Sequence, residues 1–140
     1  MRTGRVLMAA LLFTAFSVLV HMQGWGADWK VYATSHKGTF YYDGEDITRP
    51  TKGVVRVLTK TVYTEKGVSD FVAEMGDKFK TLTETIVLRE VQCADKKVRL
   101  LSSTAYSSGE VLYSSTDPEP EWFPITPDSV GELLFQKLCK

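Results

Sequence analysis

Cys93 and Cys139 are the only thiols in the chain, and few other residues are placed for chemistry. Under oxidising conditions the two would form one intrachain disulfide, which in the chain-entropy model stabilises a fold by about 4 kcal/mol. Two free buried thiols or an intermolecular bridge are the alternatives. A metal centre needs about four convergent ligands, and two lone cysteines with a distant His36 do not supply them. His36 lies in the turn-forming run His36-Lys37-Gly38, with no serine or cysteine pattern from which a nucleophilic triad could be assembled. Glycine-rich phosphate loops, paired metalloprotease histidines and calcium loops are absent from the sequence. Glu119 and Glu121 flank Pro120, where solvated side chains are a better account than acid/base work. The expectation is a protein with no catalytic role and no cofactor, whose activity is binding.

The compartment that would allow such a disulfide is indicated at the start of the chain. Arg2 and Arg5 precede an uncharged run from Val6 to Val20, and the small residues Gly24, Gly26 and Ala27 follow. This pattern predicts a signal peptide over 1–26, cut after Gly26, and one domain over 27–140. An uncleaved anchor is the alternative, although the run falls short of the roughly 20 apolar residues of a membrane span. No cysteine directly follows the run, so lipoprotein acylation is not expected. The expected location is the periplasm, the medium or the cell surface. Arg2 and Arg5 leave with the signal, so 15 Lys and Arg face 17 Asp and Glu in the remainder. That interspersed, slightly acidic balance argues against nucleic acid or an anionic membrane as partner.

The elements that must position these residues are mostly strands. Trp29–Thr34, Thr39–Tyr42 and Gly53–Thr64 alternate or are β-branched throughout and read as strands, with 44–53 as a loop. Val68, Phe71, Val72, Met75 and Phe79 recur at helical spacing, with Thr64 or Ser69 available as a cap. A two-residue turn at Asp95-Lys96 would set Cys93 opposite Val98 and Val87 opposite Thr104; one at Ser108-Gly109 would set Tyr106 opposite Val111. One face would then carry Val87, Val91, Cys93, Val98, Leu100, Tyr106, Val111 and Tyr113, with Arg89 as the charged intruder. The other would carry Ile86, Ala105 and Leu112 with Leu88 and Leu101 nearby, and Glu90, Gln92 and Arg99 at its far end. Thr126, Pro127 and Asp128 are suited to start a final helix running to Cys139, whose stripe of Val130, Leu133, Leu134 and Leu138 would cover the Cys93 face. The fold class is α+β: an antiparallel sheet of about six strands, a C-terminal helix on one face, and a short helix between strands.

Four stretches, in order, resemble the bacterial surface-adhesin protein E family: WKVYATSHKGTFYYD, VRVLTKTVYTEKG, VRLLSSTAYSSGEVLYSS after the Cys93 strand, and EWFPITPDSVGELLFQKLCK. The resemblance covers the whole chain after the signal. It implies an antiparallel sheet whose C-terminal helix is held by the disulfide, dimerisation and, for the namesake adhesin, attachment to host matrix and plasma proteins. The chain departs from the lipoprotein character of the family's namesake. The functional expectation is an exported, adhesin-like module of the bacterial envelope that binds an extracellular or envelope protein. Its candidate surface is Phe40, Tyr41 and Tyr42 of the N-terminal hairpin with Ile86, Leu88 and Leu112 of the second face. The competing reading is a periplasmic small-ligand binder using that second face as a pocket wall; unfilled strand edges would serve a homodimer.

Overall fold

In a computed structural model the described residues are 27–140, so the expected signal peptide lies outside them. The strands are β1 (Trp29–Ser35), β2 (Gly38–Asp43), β3 (Thr48–Thr51), β4 (Val54–Tyr63), β5 (Glu84–Gln92), β6 (Lys97–Ser107), β7 (Glu110–Thr116) and β8 (Phe123–Pro124). Helix α1 spans Glu65–Met75 between β4 and β5, and α2 spans Val130–Leu138 at the C-terminus. All pairings are antiparallel, in the order β1-β2-β4-β5-β6-β7, with β3 on β4 and β8 on β6. The α+β class and the central strands follow the sequence expectation. β3 occupies the expected loop, and its Pro50 is tolerated on a short exposed edge strand, where a missing N–H costs no ladder bond.

Alternation divides the sheet into two faces. Val55, Val57, Thr59 and Tyr63 of β4 share one face with Val91, Arg89, Val87 and Thr85 of β5. Both helices lie on it. Leu134 and Leu138 of α2 join Val55, Val57, Val91 and Ile125 in one cluster, to which Tyr32, Tyr42 and Val98 add partly buried surface. At the other end of the same face Val68, Phe71 and Val72 of α1 pack with Phe79, Leu82 and Ala105. Each fully buried side chain of this kind stabilises the fold by about 1.5–3 kcal/mol.

The expected register is altered in three places. The β5–β6 connection is four residues, Cys93–Lys96, with Gln92 opposite Lys97 and Val91 opposite Val98. A bulge then leaves Leu101 without a partner, so Thr85 rather than Ile86 faces Ala105. A second bulge at Leu112 sets Tyr113 opposite Ala105. An extra residue flips everything beyond it. Ala105 therefore joins the covered face, while Tyr106 and Val111 move to the opposite one. The Ser108-Gly109 turn is as expected, with φ of 47° and 89° at its two positions.

Helix boundaries are sharper than periodicity alone predicts. Thr64 caps α1 by accepting from the Gly67 amide at 3.1 Å. The expected helix to Phe79 is broken at Gly76, whose φ of 108° stops α1 and allows a separate 3₁₀ turn, Asp77–Phe79. That turn drives Phe79 to 2 % exposure. Helix α2 starts three residues later than expected: Ser129, not Thr126, is its cap, accepting from the Glu132 amide, and the Glu132 carboxylate accepts from the Asp128 amide at 2.7 Å. Asp128 itself has φ of 59° and so lies outside the helix.

Candidate functional site

Cys93 leaves β5 at the edge of the covered face, and Cys139 caps the end of α2. They form a disulfide with Cα atoms 5.6 Å apart, which fastens the last turn of α2 beside Leu138. Its role is architectural. No cluster of three potential metal ligands occurs among the described residues. His36 lies exposed in the β1–β2 turn, and its carbonyl accepts from the Thr64 hydroxyl.

The six candidate binding residues do not form one surface. Phe40 pairs with Thr61 and Tyr42 with Thr59, which puts both on the helix-covered face; Tyr42 packs against the α2 cluster. Leu112 packs against Phe79, Leu82 and Ala105 on that same side. Tyr41, Ile86 and Leu88 belong to the opposite face. Tyr41 pairs with Lys60, and Lys60 with Ile86, so the three run in one row across β2, β4 and β5. Leu58 and Leu88 make the next row. The Lys60 ammonium lies 4.5 Å from the Trp29 ring centre and 5.1 Å from that of Tyr41, leaving a cation between two aromatics at the margin of the apolar patch. Neither helix packs on this face, and Val31 and Val62 remain exposed beside the row. The bulges bring Ala105 and Leu112 to the other side, where α1 packs on them.

The far end of the open face, where Glu90 and Arg99 were expected, holds a charged network whose pairing and third member, Arg56, the sequence reading missed. Arg56, Glu90 and Arg99 are aligned across β4, β5 and β6. Glu90 is 1 % exposed, and its two oxygens are shared out: Arg56 donates to Oε2 at 3.1 and 3.0 Å, and Arg99 donates to Oε1 at 2.8 and 2.7 Å. Trp122, which enters β8, lies 4.3 Å from the Arg99 guanidinium. The signal was the cross-strand position of Glu90 between two arginines, which becomes readable only once register is known.

Arg89 is the contrasting arginine, on the covered face between the two helix clusters. Its Nε donates to the Thr59 hydroxyl at 2.9 Å, and that hydroxyl donates to the Val87 carbonyl at 3.0 Å. No carboxylate among the described residues pairs with it. Burial pulls its pKa below the ordinary guanidinium value, with the tyrosines Tyr32 and Tyr63 opposing that shift. Burial likewise raises both tyrosine pKa values. Arg89 opens onto a recess of about 210 Å³ between the sheet and α2, walled by Tyr32, Phe40, Val91, Ile125 and Leu134.

No helix of the described residues is long and apolar enough to cross a membrane. Comparison with curated proteins returns no match. Two solved structures of Haemophilus influenzae protein E are similar to the chain. Crystal form II is 14% identical, with a TM-score of 0.49, over 71% of this chain and 79% of that one. The selenomethionine form is 16% identical, with a TM-score of 0.47, over 71% of this chain and 78% of that one. The family model for surface-adhesin protein E matches residues 29–140, from the first strand to the last residue, taking in both cysteines, both helices and every strand. The chain belongs to the surface-adhesin protein E family.

Proposed function

We propose that the protein is an exported, non-catalytic adhesin-like module that binds an extracellular or envelope protein through the open face of its sheet. The observation that carries this reading is the row of Tyr41, Lys60 and Ile86, with Leu58 and Leu88 beside it and Trp29 at its margin, which neither helix of the described residues covers. Rigid aromatics and aliphatics on a flat sheet, next to a charged rim, have the composition of a protein-recognition surface. Both helices pack on the other side, so the face keeps the binding role without competing with the core. Family membership supports the same class of partner. Residues 1–26 act as a cleaved signal peptide, and the mature chain reaches the periplasm or cell surface without a lipid on its N-terminus. Phe40, Tyr42 and Leu112 contribute from within the fold, by supporting the sheet.

The test is binding to immobilised extracellular-matrix and envelope proteins, comparing the wild type with Ile86→Lys and Leu88→Lys. Saturable binding by the wild type, lost in both variants while circular dichroism and melting remain close to wild type, is the expected result. Equal binding by all three proteins would move the interface elsewhere. A concentration-dependent dimer that is abolished by the same substitutions would make a second copy the occupant of this face.

A further inference from the structure

We propose that the recess between α2 and the sheet is a binding site for a small monocarboxylate with an apolar body, held by the Arg89 guanidinium. The inference stands apart from the open-face reading, since it concerns the opposite side of the sheet. Three arginines project from neighbouring strands in this sheet. Arg56 and Arg99 are both satisfied by Glu90. Arg89 has one hydrogen bond, through Nε, and its two terminal nitrogens make none among the described residues. Residues 1–26 contain no Asp or Glu, so that segment has no side-chain carboxylate to offer. Arg89 is half-buried, and a cation partly drawn out of water gains when an anion and hydrogen-bond acceptors meet it. Arg89 lines the cavity, and the four N–H donors on its terminal nitrogens are set to grip a carboxylate in a fork.

The rest of the recess defines the ligand. Tyr32, Phe40, Val91, Val98, Ile125 and Leu134 give it apolar walls, and Tyr32 and Phe40 have ring centres 6.2 Å apart on one side. Its volume of about 210 Å³ lies below the usual range for drug-sized ligands but above the roughly 150 Å³ that can accept benzene. An aryl or branched aliphatic acid of benzoate size fits; a nucleotide is too large, and a sugar would set hydroxyls against apolar walls. Val130 and Gly131, the first two residues of α2, also line the recess, and the positive end of that helix adds to the potential of Arg89. One guanidinium with apolar walls favours a single negative charge, because a dianion such as sulfate would bring oxygens that no donor meets.

The test titrates the folded protein with sodium benzoate while following the amide resonances of Val130, Gly131 and Leu134. Benzamide, benzylamine and sulfate form parallel arms. Benzoate should shift these resonances saturably with a Kd of about millimolar or tighter. Loss of the charge-assisted contact should weaken benzamide by about 10- to 100-fold, with no response to benzylamine. Arg89→Gln should reduce benzoate affinity by a similar factor. Should that variant fold poorly, the benzoate and benzamide pair on wild-type protein decides alone. Equal affinity for benzoate and benzamide, equal competition by sulfate, or no saturation by benzoate at millimolar concentrations would each overturn the proposal.

Discussion

On the open face Arg56 and Arg99 converge on one carboxylate, whereas on the covered face Arg89 is left with a hydroxyl. β4 and β5 contribute to both arrangements, one residue apart along β5. Where solvent reaches, Glu90 is buried beneath two partly exposed arginines and costs little to keep charged. On the covered face Arg89 is half-buried, and no acid of the described residues meets it. The faces also differ in how they are closed. The covered one has two helices, a disulfide and two apolar clusters; the open one has a charged rim and an unfilled apolar row. A buried group serves stability on the first face, and an exposed one is free to serve recognition on the second.

Substitutions should separate the faces by size of effect. Phe79→Ala empties the centre of the cluster beneath α1 and should cost about 3–5 kcal/mol, measured by denaturant unfolding; a cost near zero would mean α1 is not seated there. Removing the disulfide as Cys93→Ala/Cys139→Ala should cost about 2–4 kcal/mol by the same measurement, and α2 amides should then exchange faster than those of β4. Next come the two arginine arrangements. Glu90→Gln should cost about 1–3 kcal/mol, since it leaves Arg56 and Arg99 facing a neutral group. Arg89→Met should lie within about 1 kcal/mol of wild type or be stabilising, because it exchanges a half-buried charge without an acid partner for an apolar side chain of similar length. Equal large losses in calorimetry would erase the distinction between them.

The smallest effect is a pH dependence at the start of α2. The Asp128 amide, followed by Lys96, holds the Glu132 carboxyl below its ordinary value. A depressed carboxylate contributes stability above its unfolded pKa, about 4.3, and loses it as pH falls through the lower folded value. Glu132→Gln should therefore be slightly less stable than wild type at neutral pH, and the gap should close on acidification. A gap that widens towards low pH would contradict the capping geometry.

Much of the fold was legible because alternation and helical spacing are local properties. The long strands, the Ser108-Gly109 turn, the Thr64 cap and the cysteine pair could all be read from neighbours in sequence. The disulfide tether of the last helix was read from the two cysteines and their places in the pattern, and the family resemblance agreed with it. Face assignment failed beyond Leu101 and Leu112, because a bulge leaves no strong local signal in residues that are themselves good strand formers. That one-residue slip hid the shared location of the two helices. It also sent Leu112 to the other side from Ile86 and Leu88, while Phe40 and Tyr42 part from Tyr41 by the ordinary alternation of β2. Arg89 was visible as an intruder, but its missing partner was not, because a partner is a property of the whole face. Gly67 shows the same limit: a methyl group there would overlap the Lys37 carbonyl, a contact between α1 and the β1–β2 turn that the intervening sequence does not announce.

Hydroxyl-radical footprinting of the folded protein measures most directly whether both helices share one face. Tyr41, Ile86 and Leu88 should be oxidised well above Phe79 and Leu134, and reduction of the disulfide should raise Leu134 and Leu138 without changing Tyr41. Protection of Ile86 and Leu88 to the level of Phe79 would contradict a one-sided sheet and remove the open face on which partner binding depends.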